Sequence, residues 1–245
     1  IKKPSDYFNT KLYTGNGSTQ SITGVGFQPD WVWIKNRSDT HQHVLSDSVR
    51  GTGKELRSDT DGAETTNGDI TAFGSDGFSI SSSGQVSNNG NNFASWNWKA
   101  GTGQGSSNTD GSINTAYTSV NTTAGFSISS FTGTGANATF GHGLGAVPKM
   151  YILKRYDSSN NWRVYHESIG NGKYMTLETT EAEQTSSGFT NNTSPTSSLI
   201  SLGNLGSANP SGGSVICYAF AEKQGYSKFG SYTGNGSTDG TFVYT

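Results

Sequence analysis

The stretch Gly26-Phe27-Gln28-Pro29-Asp30-Trp31-Val32-Trp33-Ile34-Lys35 is echoed by Gly145-Ala146-Val147-Pro148-Lys149-Met150-Tyr151-Ile152-Leu153-Lys154, 119 residues further on. Each is a short, nearly continuous apolar run opened by a proline. Proline at a strand start leaves no ladder bond unmade, and a run of this length suits a central β-strand. The echo extends in both directions. Tyr13-Thr14-Gly15-Asn16-Gly17-Ser18-Thr19 recurs letter for letter at 232–238, with a degenerate copy, Phe131-Thr132-Gly133-Thr134-Gly135-Ala136, between them. Val44-Leu45-Ser46-Asp47-Ser48 parallels 164–168 at an offset of 120, and 93–99 parallels 215–221 at 122. Offsets that stay ordered and drift by a few residues point to homologous units whose loops absorb the difference.

Further strands read from 44–45, 78–80, 93–98, 126–128, 174–177, 199–202 and 215–220, the second and fourth of these alternating as half-buried strands do. Asn-Gly and Asp-Gly pairs punctuate them, the strongest short-range hairpin signal. No long amphipathic helix pattern occurs, and one short helix is expected at 179–183. The fold class is therefore all-β, in tandem β-sandwich domains of jelly-roll or lectin-like type. The expected boundaries are 1–105 for the first, 106–228 for the second with 106–116 as a linker, and 229–245 as the first strands of a third. Both ends of the chain read as cuts through a longer array.

Composition narrows function by exclusion. Charged residues make up 14% of the 245-residue chain, against roughly 25% in an average domain. Thirty-four glycines and a Ser/Thr/Asn-rich surface take their place. The 11% aromatic content, set in β-branched runs, argues against disorder. A net charge of −2 without a basic stripe argues against nucleic acid as partner. No apolar stretch reaches the ~20 residues that span a bilayer, so no membrane anchor is expected. The single cysteine, Cys217, sits in an apolar run and reads as a buried small hydrophobe.

Chemistry-bearing constellations are few. No Gly-x-Ser-x-Gly elbow and no phosphate loop occurs, and paired carboxylates such as Glu55 with Asp59, or Glu167 with Glu178, arise by chance among 18 acidic residues. No catalytic residue is assigned, and the chain reads as a non-enzyme. His41 and His43 would share a strand face but lack a third ligand. Asp59, Asp61 and Glu64 offer alternating oxygens in a Gly-containing loop, the arrangement calcium uses, although the EF-hand spacing is absent. Calcium is accordingly the one candidate cofactor, set against a plain polar hairpin loop. Trp31 with Trp33, and Trp96 with Trp98, each project to one strand face. They read as core, since bulk without aromaticity stands at Met150/Ile152 and Tyr218/Phe220. The alternative is a platform on which sugar rings stack.

Residues 3–10, 13–17, 26–35 and 93–100 resemble a family of repeated domains in virion proteins of tailed phages, notably those of marine bacteria. The resemblance covers the first unit end to end and the second more loosely, with Phe131 and Met150 departing from the pattern. It implies a virion or extracellular setting, and a tail-fibre, receptor-binding or decoration role on a lectin-like sandwich. The implied partners are other virion proteins, copies of the chain itself or a host-surface glycan. A bacterial or environmental surface adhesin with the same domains is the alternative. The motifs are strand and turn signatures, so no binding residue is carried over.

Overall fold

The computed structural model describes residues 1–243. Its first half runs β1 (Phe8–Thr14), β2 (Gln20–Thr23), β3 (Trp31–Asn36), β4 (Val44–Asp47), β5 (Leu56–Arg57), β6 (Ile70–Gly74), β7 (Gly77–Ile80), a one-turn helix α1 (Gly84–Ser87) and β8 (Asn92–Trp98). The second half runs β9 (Tyr117–Asn121), β10 (Phe126–Thr132), β11 (Ala138–Gly141), β12 (Met150–Arg155), β13 (Arg163–His166), β14 (Lys173–Thr176), β15 (Gln184–Thr185), α2 (Ser187–Thr190), β16 (Leu199–Leu202) and β17 (Ser214–Phe220). The fold is all-β, as the strand and turn pattern requires.

The two halves share one topology. The large sheet of the first is ordered β1-β8-β3-β4-β5, and that of the second β15-β14-β13-β12-β17-β10-β9. Strands β10, β17, β12, β13 and β14 thus repeat β1, β8, β3, β4 and β5, and the proline-led strands β3 and β12 lie at the centre of their sheets. A small sheet covers each large one, β2-β7-β6 in the first half and β11-β16 in the second. Ile22, Phe78 and Ile80 of one small sheet pack on Val32, Ile34 and Phe93. Phe140, Ile200 and Leu202 of the other pack on Tyr151, Leu153 and Val215. Alternation along each strand sends the remaining faces of the two large sheets against each other. There Trp31, Leu45 and Leu56 meet Phe126, Ile128, Ile152, Val164 and Tyr218.

Register corrects one expected alignment. Trp33 pairs with Leu45, and Ile152 with Val164, so β4 and β13 correspond at an offset of 119 and not 120. A one-residue slip would send Val44, packed under the small sheet, to the opposite face. The expected helix at 179–183 is also absent. These residues form the exposed loop between β14 and β15, because they carry no apolar face to bury against the protein.

The repeated Thr-Gly-x-Gly has a steric cause. A Cβ on Gly15 would lie 2.3 Å from the Asn88 carbonyl oxygen, and one on Gly133 2.3 Å from that of Pro210. At each position the first strand passes so close to the loop preceding the last strand that only glycine fits. The third copy lacks that neighbour. Within 229–243 no strand forms, and only the local turn survives, Ser237 N–H donating to Asn235 Oδ1 at 3.0 Å as Ser18 does to Asn16 at 2.8 Å. A β1-type strand without a β8-type partner has nothing to pair with. The last two residues of the expected third repeat lie outside the described residues.

The linker is not a free tether. Ser106 bridges Thr118, and Ile113, buried in the second core, bridges Phe140. Just upstream, the fully buried Asp30 carboxylate accepts the Ser48 hydroxyl and the backbone N–H groups of Ala100, Thr102 and Gly103 at 2.7–3.0 Å. Those four donors satisfy a carboxylate that would otherwise be costly to bury.

Candidate functional site

The four tryptophans of the two strand pairs do not act alike. Trp31 is 1% exposed and lies between the large sheets, its ring stacked on Tyr218 with centroids 4.4 Å apart. Trp33, Trp96 and Trp98 are only half buried. They stand where the first large sheet extends beyond the cover of the second. Trp33 and Trp96 meet at 70° with centroids 6.4 Å apart, forming two walls of a corner. With His43 and Trp98 they line a recess of about 250 Å³. Trp33 and Trp98 also open into a deeper apolar pocket of about 330 Å³ between the sheets, reached by Phe8, Met150, Phe220 and Phe229. The first pair is thus divided, Trp31 in the core and Trp33 half open, whereas Trp96 and Trp98 are both half open.

His43 is held at the corner by both chain and ring. Trp33 Nε1–H donates to its Nδ1 at 3.1 Å, and its backbone N–H donates to Asp59 Oδ1 at 3.2 Å. Burial lowers its pKa ahead of the opposing effect of Asp59, so the neutral ring carries its proton on Nε2. His41 does not converge with it on a metal. Its Nε2 lies 3.7 Å from Asp39, and its carbonyl oxygen accepts from Lys35 Nζ.

The Asp59/Asp61/Glu64 loop belongs to the junction between the halves. Glu64 is bound by Arg50 and Lys54, each at 3.0 Å. Asp61 offers its backbone oxygen, which accepts from Lys154 Nζ and from Asn160 N–H, both at 2.8 Å. Asp59 is engaged by His43. The three carboxylates are therefore spread along a strap that ties the first half to the second. Trp162 Nε1–H completes the tie by donating to the carbonyls of Arg57 and Thr60, each at 3.0 Å. Among the described residues no group of three or more His, Cys, Asp or Glu side chains is placed to hold a metal ion.

Two buried charge clusters flank this junction. Asp47 receives Arg50 Nε at 2.6 Å and the Tyr218 hydroxyl at 2.7 Å, with all three side chains out of solvent. In the first half, Arg57 sits between Glu55 and Asp69. Burial, and then the neighbouring Glu55 carboxyl, push the Asp69 carboxyl up to about 6. Burial likewise brings the Lys154 ammonium down to about 8, and pushes the Cys217 thiol up, so it is inert as a nucleophile. The arrangement joins the two halves and leaves an aromatic recess at the corner.

Lys154, Trp162 and Tyr218 were not foreseen as functional. One signal was available: Lys35 and Lys154 occupy equivalent positions, and each binds the carbonyl six residues on, His41 and Asn160. No curated protein and no solved structure matches the chain. One family does, over residues 3–245, and the chain belongs to it: the family described as a domain of unknown function, DUF7483.

Proposed function

We propose that the chain is a non-catalytic structural β module of a virion surface, in a tail-fibre, receptor-binding or decoration component built of serial lectin-like sandwiches. One observation carries the structural part. Two of the residues that read as calcium ligands, Asp61 and Glu64, fasten one half to the other through their backbone, the Asp61 carbonyl accepting from Lys154 Nζ and the Glu64 N–H donating to the Tyr156 carbonyl, both at 2.8 Å, beside the Trp162 indole bonds to Arg57 and Thr60. The virion setting rests on the family resemblance of the strand and turn motifs. Its partners are copies of itself or other virion proteins. Antibody raised against the chain should label intact phage particles by immunogold microscopy. Particles that carry no label, from a host expressing the gene, would sink the assignment.

A second reading, glycan recognition by the same module in a virion or an adhesin, is favoured by the Trp33/Trp96/His43 corner alone. Aromatic walls beside a hydrogen-bonding imidazole suit a sugar ring. A glycan array probed with the chain, and with Trp96→Ala, decides it: signal lost in the variant supports recognition, and a blank array for both removes it.

A further inference from the structure

The two halves each carry a strap and a receiving corner, and only one strap is seated. The β5-to-Thr65 hairpin of the first half has its counterpart in β14–β15, since Glu55 bridges Thr65 as Tyr174 pairs with Gln184. The loops between are of equal length. Asp59-Thr60-Asp61-Gly62-Ala63-Glu64 stands against Glu178-Thr179-Thr180-Glu181-Ala182-Glu183, with Thr, Ala and the final Glu in common. Each loop opens with a carboxylate bound to a backbone N–H of its own half, His43 N–H to Asp59 and Trp162 N–H to Glu178, both at 3.2 Å.

The receiving corners correspond as closely. In the second half Lys154, Asn160 and Trp162 hold the first strap. In the first half the same three positions are Lys35, His41 and His43. Lys35 likewise holds the carbonyl six residues on. His43, protonated on Nε2, presents a ring N–H donor where Trp162 presents Nε1–H. Yet no strap lies on this corner, and residues 179–185 are exposed throughout. One molecule thus has a free strap at one place and an open receiver at another.

We propose that the 179–183 loop of one copy of this chain seats on the Lys35/His41/His43 corner of a second copy, extending head to tail the junction already present between the halves. Such a contact joins unlike surfaces and therefore propagates into an open array or closes into a ring. Charge is a minor contributor: Glu183 is already paired with Lys173 at 2.5 Å, and Asp39 and Asp59 stand at the corner beside His41 and His43. The contacts that matter are the donors of the corner and the backbone carbonyls of the loop, as in the seated strap. The inference rests on the structural reading above.

Sedimentation of the whole chain over a concentration series tests it. The wild-type mass should rise with concentration. Ala182→Arg, on the exposed loop, and Lys35→Glu, in the corner, should each lose that rise, with melting curves confirming folded protein. Mixed together they should recover a one-to-one pair and nothing larger, since each supplies what the other lacks. As a second readout, a disulfide should form between Thr180→Cys on one copy and Gln42→Cys on another. A wild-type mass that stays monomeric, a dimer that neither substitution weakens, or glycan binding at the corner without assembly would overturn the proposal. Particle labelling tests the virion assignment separately, so a labelled particle with a monomeric chain would discard this inference alone.

Discussion

Trp31 and Tyr218 lie face to face across the two halves, ring planes 16° from parallel, with the Tyr218 hydroxyl donating to Asp47. Trp31 is therefore a keystone of the shared core, whereas Trp96, the first-half counterpart of Tyr218, is half open. Trp31→Ala should cost about 3–5 kcal/mol, as large buried aromatics do. Trp96→Ala should cost under about 1 kcal/mol. Urea unfolding followed by fluorescence checks both values, and equal costs would mean that the core is not shared as described.

The division between those two tryptophans was only partly legible beforehand. Strand identity, sheet centre and the repeat followed from the Pro-led runs, because strand periodicity is local. Which of two same-face residues is covered depends on how far one sheet overlaps the other, and no local pattern encodes that. The one-residue slip at β4 has a similar cause: Val44 and Leu45 are both apolar, so sequence matching could not choose the face. The part that the Asp59/Asp61/Glu64 loop plays in the junction was not legible, because its partners, among them His43, Lys154 and Arg50, lie up to 93 residues away. Strands β1, β2, β5, β6, β9, β11 and β15 were not read from the sequence: none carries a run of apolar residues like those of β3, β12 and β17, and their pairing is set by the neighbouring strands.

The glycines of the repeated motif separate local from tertiary demands. Gly15→Ala and Gly133→Ala each force a methyl against a backbone carbonyl and should destabilise by about 1–3 kcal/mol. Gly234→Ala, at the same place in the third copy, meets nothing within 4 Å and should be silent within about 0.5 kcal/mol. Thermal melting of the three variants provides the comparison. A destabilising Gly234→Ala would mean that the terminal copy is packed after all.

Trp162→Phe keeps an aromatic ring, smaller than the buried indole, and removes the N–H that holds Arg57 and Thr60. The loss should be about 1–3 kcal/mol, the cost of leaving buried carbonyls unpaired. It should also be local. Hydrogen exchange ought to quicken across 59–64 while the amides of β3 and β8 keep their protection. Uniform quickening over the first half would show that the strap is not a separable element.

Asp69 makes stability depend on pH in an unusual direction for a carboxylate. Its pKa is raised from 3.8 to about 6 in the folded protein, by burial first and by Glu55 next. Glu55 Oε2 and Asp69 Oδ2 are both buried and without a hydrogen-bond partner among the described residues, which is where a proton between the two carboxyls belongs. The folded state thus binds more protons than the unfolded state between those pH values. Its contribution is fully present below pH 3.8 and is lost as pH rises through about 6. From pH 7 to pH 5 the melting temperature should therefore rise from this pair. In Asp69→Asn, which carries no titrating proton, that rise should flatten. A wild-type melting temperature that falls over the same interval, with Asp69→Asn unchanged from it, would remove the shared proton from the account.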